Sequence, residues 1–82
     1  MRIVWDERKR QVNLLKHGLD FADLDLEFFV AAVTSPAKEG RSKAVGRLRD
    51  GTIVVIFLAL GSEAISIISM RPARRDEREV IE

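Results

Sequence analysis

The chain of 82 residues has no cysteine and no tyrosine, one histidine, one tryptophan and two prolines. Without thiols there is no disulfide and no thiolate metal site, and nothing asks for an oxidising compartment. His17 has no second imidazole or thiolate to join it, so a transition-metal site is not expected. No Gly-rich phosphate loop precedes a helix, and no hydroxyl, histidine and carboxylate set stands at a spacing that marks a hydrolase. The longest apolar run, Ile53 to Leu60, falls far short of the ~20 residues a membrane-spanning helix requires. The opening MRIVWDERKR is charged within a few residues, unlike a signal peptide. The expectation is a cytoplasmic protein with no cofactor and no membrane contact.

What is present is a composition 46% hydrophobic and 33% charged, that of a globular domain. A chain this short has room for one domain, residues 1–82, and one modest core. The formal net charge of +1 conceals an uneven distribution. Lys38, Arg41, Lys43, Arg47 and Arg49 face only Glu39 in their stretch, whereas Asp20, Asp23, Asp25 and Glu27 stand together without a base.

The pattern organises around IVVIFLALGSEAISIISMR, Ile53 to Arg71. Ile53 to Leu60 is apolar throughout and rich in β-branched residues, as suits a central strand covered on both faces. Gly61, Ser62 and Glu63 break the run, and Ala64 to Arg71 resumes as its hairpin partner. Upstream, Lys43 to Arg49 alternates basic and small residues, and Asp50-Gly51 is the signature of a type I′ turn into the central strand. These three strands predict an antiparallel meander.

Before the meander, Arg2 to Trp5 reads as a short strand. Asp6 caps a helix over Glu7 to Lys16 that stops at Gly18 and turns Val12 and Leu15 to the core. Asp20 caps a second helix in which Phe21, Leu24 and Phe28 face inward while Asp23, Asp25 and Glu27 point away. Val30 to Val33 fits either a brief strand or a helix end, and Ala37 to Ser42 reads as a loop. After Pro72, a short helix over Arg74 to Glu82 has Val80 and Ile81 as its few apolar contacts. The fold class is a small α+β domain: N-terminal helices, an antiparallel β-meander and a C-terminal helix.

Candidate chemistry is sparse. A guanidinium at the end of an otherwise buried strand, Arg71, belongs at the sheet's end, where an anion can reach it. With Arg41 and the basic strand carrying Lys43, Arg47 and Arg49, it forms either a phosphate-binding surface or an ordinary solvated face. If the former, Arg41, Lys43, Arg47 and Arg71 should gather on one concave basic face. His17 is either a helix-end cap or a general acid or base.

Trp5-Asp6, Lys9, Asn13, Lys16-His17-Gly18 and Phe21, followed by Arg41, Gly46, Gly51, Ile67-Ile68-Ser69-Met70-Arg71, Ala73, Glu77 and Arg78, together resemble the BrnT family of bacterial toxins. The match runs from about Val4 to Arg78. The resemblance implies a RelE-like α+β fold and metal-independent RNA cleavage that arrests translation. It also implies neutralisation by a BrnA-type antitoxin, whose ribbon-helix-helix part makes any DNA contact indirect. Ser66 stands where the family usually has arginine, and Ile81 where it tends to have tyrosine. On this reading Arg71 and Arg41 contact the scissile phosphate, Lys43, Arg47 and Arg49 bind the RNA backbone, and His17 is a candidate for proton transfer. The alternative is a catalytically weak or inactive relative that serves as an antitoxin-binding module. In either case an acidic, amphipathic element of the partner would cover the basic face.

Overall fold

The apolar run forms the middle of a five-stranded sheet. A computed structural model describes residues 1–81 and places, in chain order, β1 (Arg2–Trp5), α1 (Glu7–His17), α2 (Leu26–Ala31), β2 (Val33–Pro36), β3 (Ser42–Leu48), β4 (Gly51–Leu60), β5 (Ala64–Pro72) and α3 (Arg75–Arg78). Short 3-10 turns occupy Phe21–Asp23 and Lys38–Gly40. The sheet order is β1-β5-β4-β3-β2. From β2 to β5 the strands form an antiparallel meander, and β1 joins the far edge parallel to β5.

This is the expected α+β architecture with β4 at its centre, paired on both sides. Ile53, Val54, Val55 and Phe57 are buried. Ile53, Val55 and Phe57 share a cluster with Phe21, Leu24, Phe28, Ile67 and Met70 on one sheet face. Val54 lies on the other, with Val45 and Ala73, under Ile81. Burying a side chain such as Val54 or Val55 contributes about 1.5–3 kcal/mol, so this double-faced strand carries much of the domain's stability. Ala59 and Leu60 are exposed, so double-sided burial ends before the strand does.

Several local expectations are corrected. In α1, Asp6 caps the Arg8 N–H and Gly18 takes a left-handed φ of 69°, as anticipated. Val12 and Leu15, however, are 57% and 89% exposed, and the residue turned inward is Asn13. The second helix divides in two. Asp20 accepts from the Ala22 N–H at 2.9 Å to cap a 3-10 turn, Leu24 is extended, and Asp25 accepts from the Phe28 N–H at 2.8 Å to start α2. Asp25 is thus a cap and not an outward-pointing acid; two carboxylates that each hold a nearby N–H interrupt a continuous helix. Phe21, Leu24 and Phe28 remain buried as expected. The Val30 to Val33 stretch is both things at once, since α2 ends at Ala31 and β2 begins at Val33.

The β3–β4 turn is displaced by one residue. Leu48 pairs with Gly51, so the loop is Arg49-Asp50, and Arg49 takes the positive φ of 58°. Pairing of Ala44 with Val55 and of Val45 with Val54 sets this register, and a slip of one residue would reverse the faces of both strands. The C-terminal helix is shorter than expected, spanning Arg75–Arg78; Val80 is exposed, Ile81 packs on the second cluster, and Glu82 lies outside the described residues.

Candidate functional site

β1 accompanies β5 only as far as Trp5 opposite Ile67. Beyond that point the edge of β5 has no strand beside it, and α1 lies there instead. The fastening is Asn13: its Oδ1 accepts from the Met70 N–H at 3.1 Å, and its Nδ2 donates to the Leu19 carbonyl at 3.2 Å. A valine or leucine could satisfy neither group, which is why the helix presents its amide inward and leaves Val12 and Leu15 outside. A second fastening holds the N-terminal half of α1. Arg10 makes a bidentate pair with Asp20 at 2.7 and 3.0 Å and reaches Glu7 at 2.7 Å. Arg10, with the Ala22 N–H, holds the Asp20 carboxyl below its ordinary range, and Gln11, then Arg10 and Trp5, do the same for Glu7.

Between α1 and β5 a cleft of about 490 Å³ opens, lined by Arg8, Lys9, Val12, Asn13, Lys16, His17, Ile68, Ser69 and Arg71. Lys9, Asn13, Lys16 and His17 recur at helical spacing, so the fastened Asn13 carries the cations before and after it to the same side. The strand wall depends on a β-bulge. Ile56 pairs with Ser69 and Phe57 with Ile67, leaving Ile68 extra. Ile67 and Met70 therefore both enter the core, while Ile68 and Ser69 both turn to the cleft, the re-aiming that bulges characteristically bring about.

No carboxylate among the described residues lines this cleft. Among the described residues, Arg8, Lys9, Lys16 and His17 form no ion pair. Arg71 differs. Its two terminal nitrogens donate to the Glu77 oxygens at 2.7 and 2.8 Å, and the Lys43 ammonium meets the same carboxylate at 2.7 Å. Glu77 is buried and also caps the Arg74 N–H at 2.9 Å. The Arg71 guanidinium, outweighing the opposing effect of burial, and then Lys43 hold the Glu77 carboxyl far below the usual carboxylate range. The same pairing raises Arg71.

Of the residues picked out in the sequence, His17 and Arg71 line the one cleft, and Glu77 brings Lys43 to Arg71. Register explains the second meeting. Val54 pairs with Val45 on one side and Arg71 on the other, so Lys43, Arg47 and Arg71 share a sheet face. Arg47 is exposed on that face. Arg41 sits just before β3, 3.7 Å from Glu39, and Arg49 lies at the hairpin tip, bound to Asp23 at 3.0 Å; neither lines the cleft. The denser charge of β3 is the stronger signal along the chain, and Arg8, Lys9 and Lys16 are marked only by their helical spacing with His17.

Chemically, the arrangement has the groups that anion recognition uses. Unpaired ammonium and guanidinium groups ring an apolar floor, a hydroxyl stands on the strand wall, and an imidazole is within the same cleft. Among the described residues no three His, Cys, Asp or Glu side chains converge to hold a metal ion, and no helix is long and apolar enough to cross a membrane.

Comparisons with known proteins give a family and a similar solved structure. Residues 5–77 match the family described as "Ribonuclease toxin, BrnT, of type II toxin-antitoxin system". The crystal structure of the Brucella abortus ribonuclease toxin BrnT, at 1.1 Å, superposes with a TM-score of 0.87 at 54% identity, over 92% of this chain and 99% of that one. Comparison with curated proteins returns no match.

Proposed function

Because the chain belongs to the BrnT family of ribonuclease toxins of type II toxin-antitoxin systems, we propose that it is an endoribonuclease that cleaves RNA without a metal ion in the cleft between α1 and β5, and so arrests translation. The supporting observation is the ring of unpaired cations on α1 facing Arg71. Phosphodiesters are anions with several acceptor oxygens, and this is the chemistry such a ring recognises.

In this reading the RNA's own 2′-hydroxyl attacks the adjacent phosphorus. A 2′,3′-cyclic phosphate forms, the bond to the 5′-oxygen breaks, one proton leaves the 2′-hydroxyl and one is delivered to the departing oxygen. Negative charge builds on the phosphoryl oxygens, where preorganised cations lower the barrier most. Glu77 holds Arg71 by its two terminal nitrogens, which fixes the guanidinium at the cleft wall. Lys9 and Lys16 supply charge from the helix, and the His17 imidazole, which can give or take a proton, supplies the proton transfer. Arg41, Lys43 and Arg47 serve the flanking RNA on the β3 side.

Purified protein should cut a labelled RNA in excess chelator and leave cyclic-phosphate ends. His17→Ala and Lys9→Ala/Lys16→Ala should each lose most of that activity while keeping the wild-type circular dichroism. RNA that stays intact, or cleavage that stops on chelation, would overturn the proposal.

One observation favours a second reading. Arg71 and Lys43 both spend their charge on Glu77, as they would in a module that only holds an antitoxin. Intact RNA together with tight partner binding would select it. The family implies a cognate antitoxin, and we propose a BrnA-like partner whose acidic segment seats on the same cations. Association should then slow as salt rises, and Lys9→Glu/Lys16→Glu should slow it further. If neither the rate nor its salt dependence moves, the partner binds elsewhere.

A further inference from the structure

Two apolar side chains stand inside the cationic cleft and outside both core clusters. Val12 is 57% exposed on α1, and Ile68 is the bulged residue of β5; neither packs into the core that Ile67 and Met70 build. The bulge turns Ile68 out of the core and toward the helix, and the Asn13 fastening turns Val12 toward the strand. Both line the cleft, Val12 from the helix and Ile68 from the strand, and together they give it an apolar floor, with Arg8 and Lys16 one helical turn before and after Val12.

We propose that this floor is a nucleobase subsite, in which one base of the RNA inserts between Val12 and Ile68 while its neighbouring phosphates reach Arg8, Lys16 and Arg71. The proposal rests on the ribonuclease reading and specifies how the substrate is held. Charge complementarity selects the occupant, since a nucleotide presents the flat, weakly polar faces of a base beside anionic phosphates and the cleft is an apolar floor flanked by cations. The volume of about 490 Å³ lies within the ~300–1,000 Å³ typical of small-ligand sites. Among the described residues the His17 imidazole is the one aromatic ring in the lining, and between Val12 and Ile68 the base is held by desolvation and dispersion on aliphatic surfaces, whatever its hydrogen-bonding edge. The subsite therefore favours the larger ring of a purine over a pyrimidine without reading a particular sequence.

The test measures binding, so that it does not depend on cleavage. A 2′-O-methyl oligonucleotide, which cannot be cut, and inorganic polyphosphate are titrated against wild type and Val12→Thr. This exposed substitution keeps the shape and the helix propensity and makes the surface polar. For the oligonucleotide, Kd should rise roughly three- to tenfold, the loss expected for about one apolar group no longer buried. For polyphosphate, Kd should be unchanged, and purine-rich oligonucleotides should lose more than pyrimidine-rich ones. If wild type binds the oligonucleotide and Val12→Thr binds it equally well, the subsite is wrong and the ribonuclease reading stands. If both ligands weaken equally, the substitution acts on the cations and the subsite is again wrong. If wild type binds no oligonucleotide, the ribonuclease reading falls and takes the subsite with it.

Discussion

Asn13 serves Met70 as a substitute for a neighbouring strand. Its amide oxygen takes the Met70 N–H at 3.1 Å, just past the point where β1 stops accompanying β5. One side chain thereby closes a buried backbone donor, docks α1 and sets the width of the cleft. Helix position, sheet completion and cleft geometry become one structural problem.

Asn13→Leu, nearly the same size but apolar, should leave both the Met70 N–H and the Leu19 carbonyl unpaired. A loss of about 1–3 kcal/mol is expected from such buried groups. Urea denaturation checks this through the midpoint, and an unchanged midpoint would show that water replaces both bonds at no cost.

Gly46 should not tolerate even a methyl group. A Cβ there would stand 2.8 Å from Phe28 Cε1 and 3.2 Å from the Ala32 Cβ. Since Phe28 is itself packed in the core, Gly46→Ala should cost roughly 1–3 kcal/mol by overpacking. Gly51→Ala, with nothing within 4 Å and no positive φ, is the matched control and should lie within about 0.5 kcal/mol of wild type. Thermal unfolding of the pair distinguishes them.

Glu77 makes stability depend on pH. Its folded carboxyl is held well below its ordinary value, so its contribution is fully present above the unfolded pKa of ~4.3 and fades as pH falls below that toward the folded value. Glu77→Gln should cost roughly 1–3 kcal/mol at neutral pH, less than a fully buried pair because Lys43 and Arg71 are partly solvated. The gap between variant and wild type should narrow steadily below about pH 4. A constant gap from pH 7 to pH 3 would show that Glu77 acts through packing and not through its charge.

Salt dependence should count the cations of α1. Each phosphate contact to single-stranded nucleic acid contributes about 0.7 to the slope of log K against log salt, so Lys9→Ala/Lys16→Ala should flatten that slope by ~1.4. Arg75→Ala, on the exposed side of α3 and paired only with Glu79 at 3.9 Å, should leave it unchanged. Fluorescence anisotropy over a salt series measures both, and equal slopes would place the RNA away from α1.

Local pattern was enough where a signal depends on neighbours in the chain. The unbroken apolarity of Ile53 to Leu60 made it the central strand, because only a strand covered on two faces can use such a run. Asp6 and Gly18 bracketed α1, because caps act within a turn. Phe21, Leu24 and Phe28 were recognisable as core even though the helix expected to carry them is interrupted.

The tertiary structure alone decided which polar groups go inside. Period counting turned Val12 and Leu15 inward, because hydrophobicity is the only preference visible along a helix. The fold turned Asn13 inward, because β1 ends early and leaves the Met70 N–H without a partner. Glu77 is buried for the same kind of reason: the sheet register brings Lys43 and Arg71 to one face, and a carboxylate beneath them costs less than two cations without a counter-charge. The Asp-Gly pair signalled a turn correctly, yet pairing between β3 and β4 moved the loop to Arg49-Asp50. Charge, hydrogen-bond satisfaction and register are settled between segments distant in sequence, so the members of the cleft, Lys9, Lys16, His17, Ile68, Ser69 and Arg71, meet only once the chain has folded.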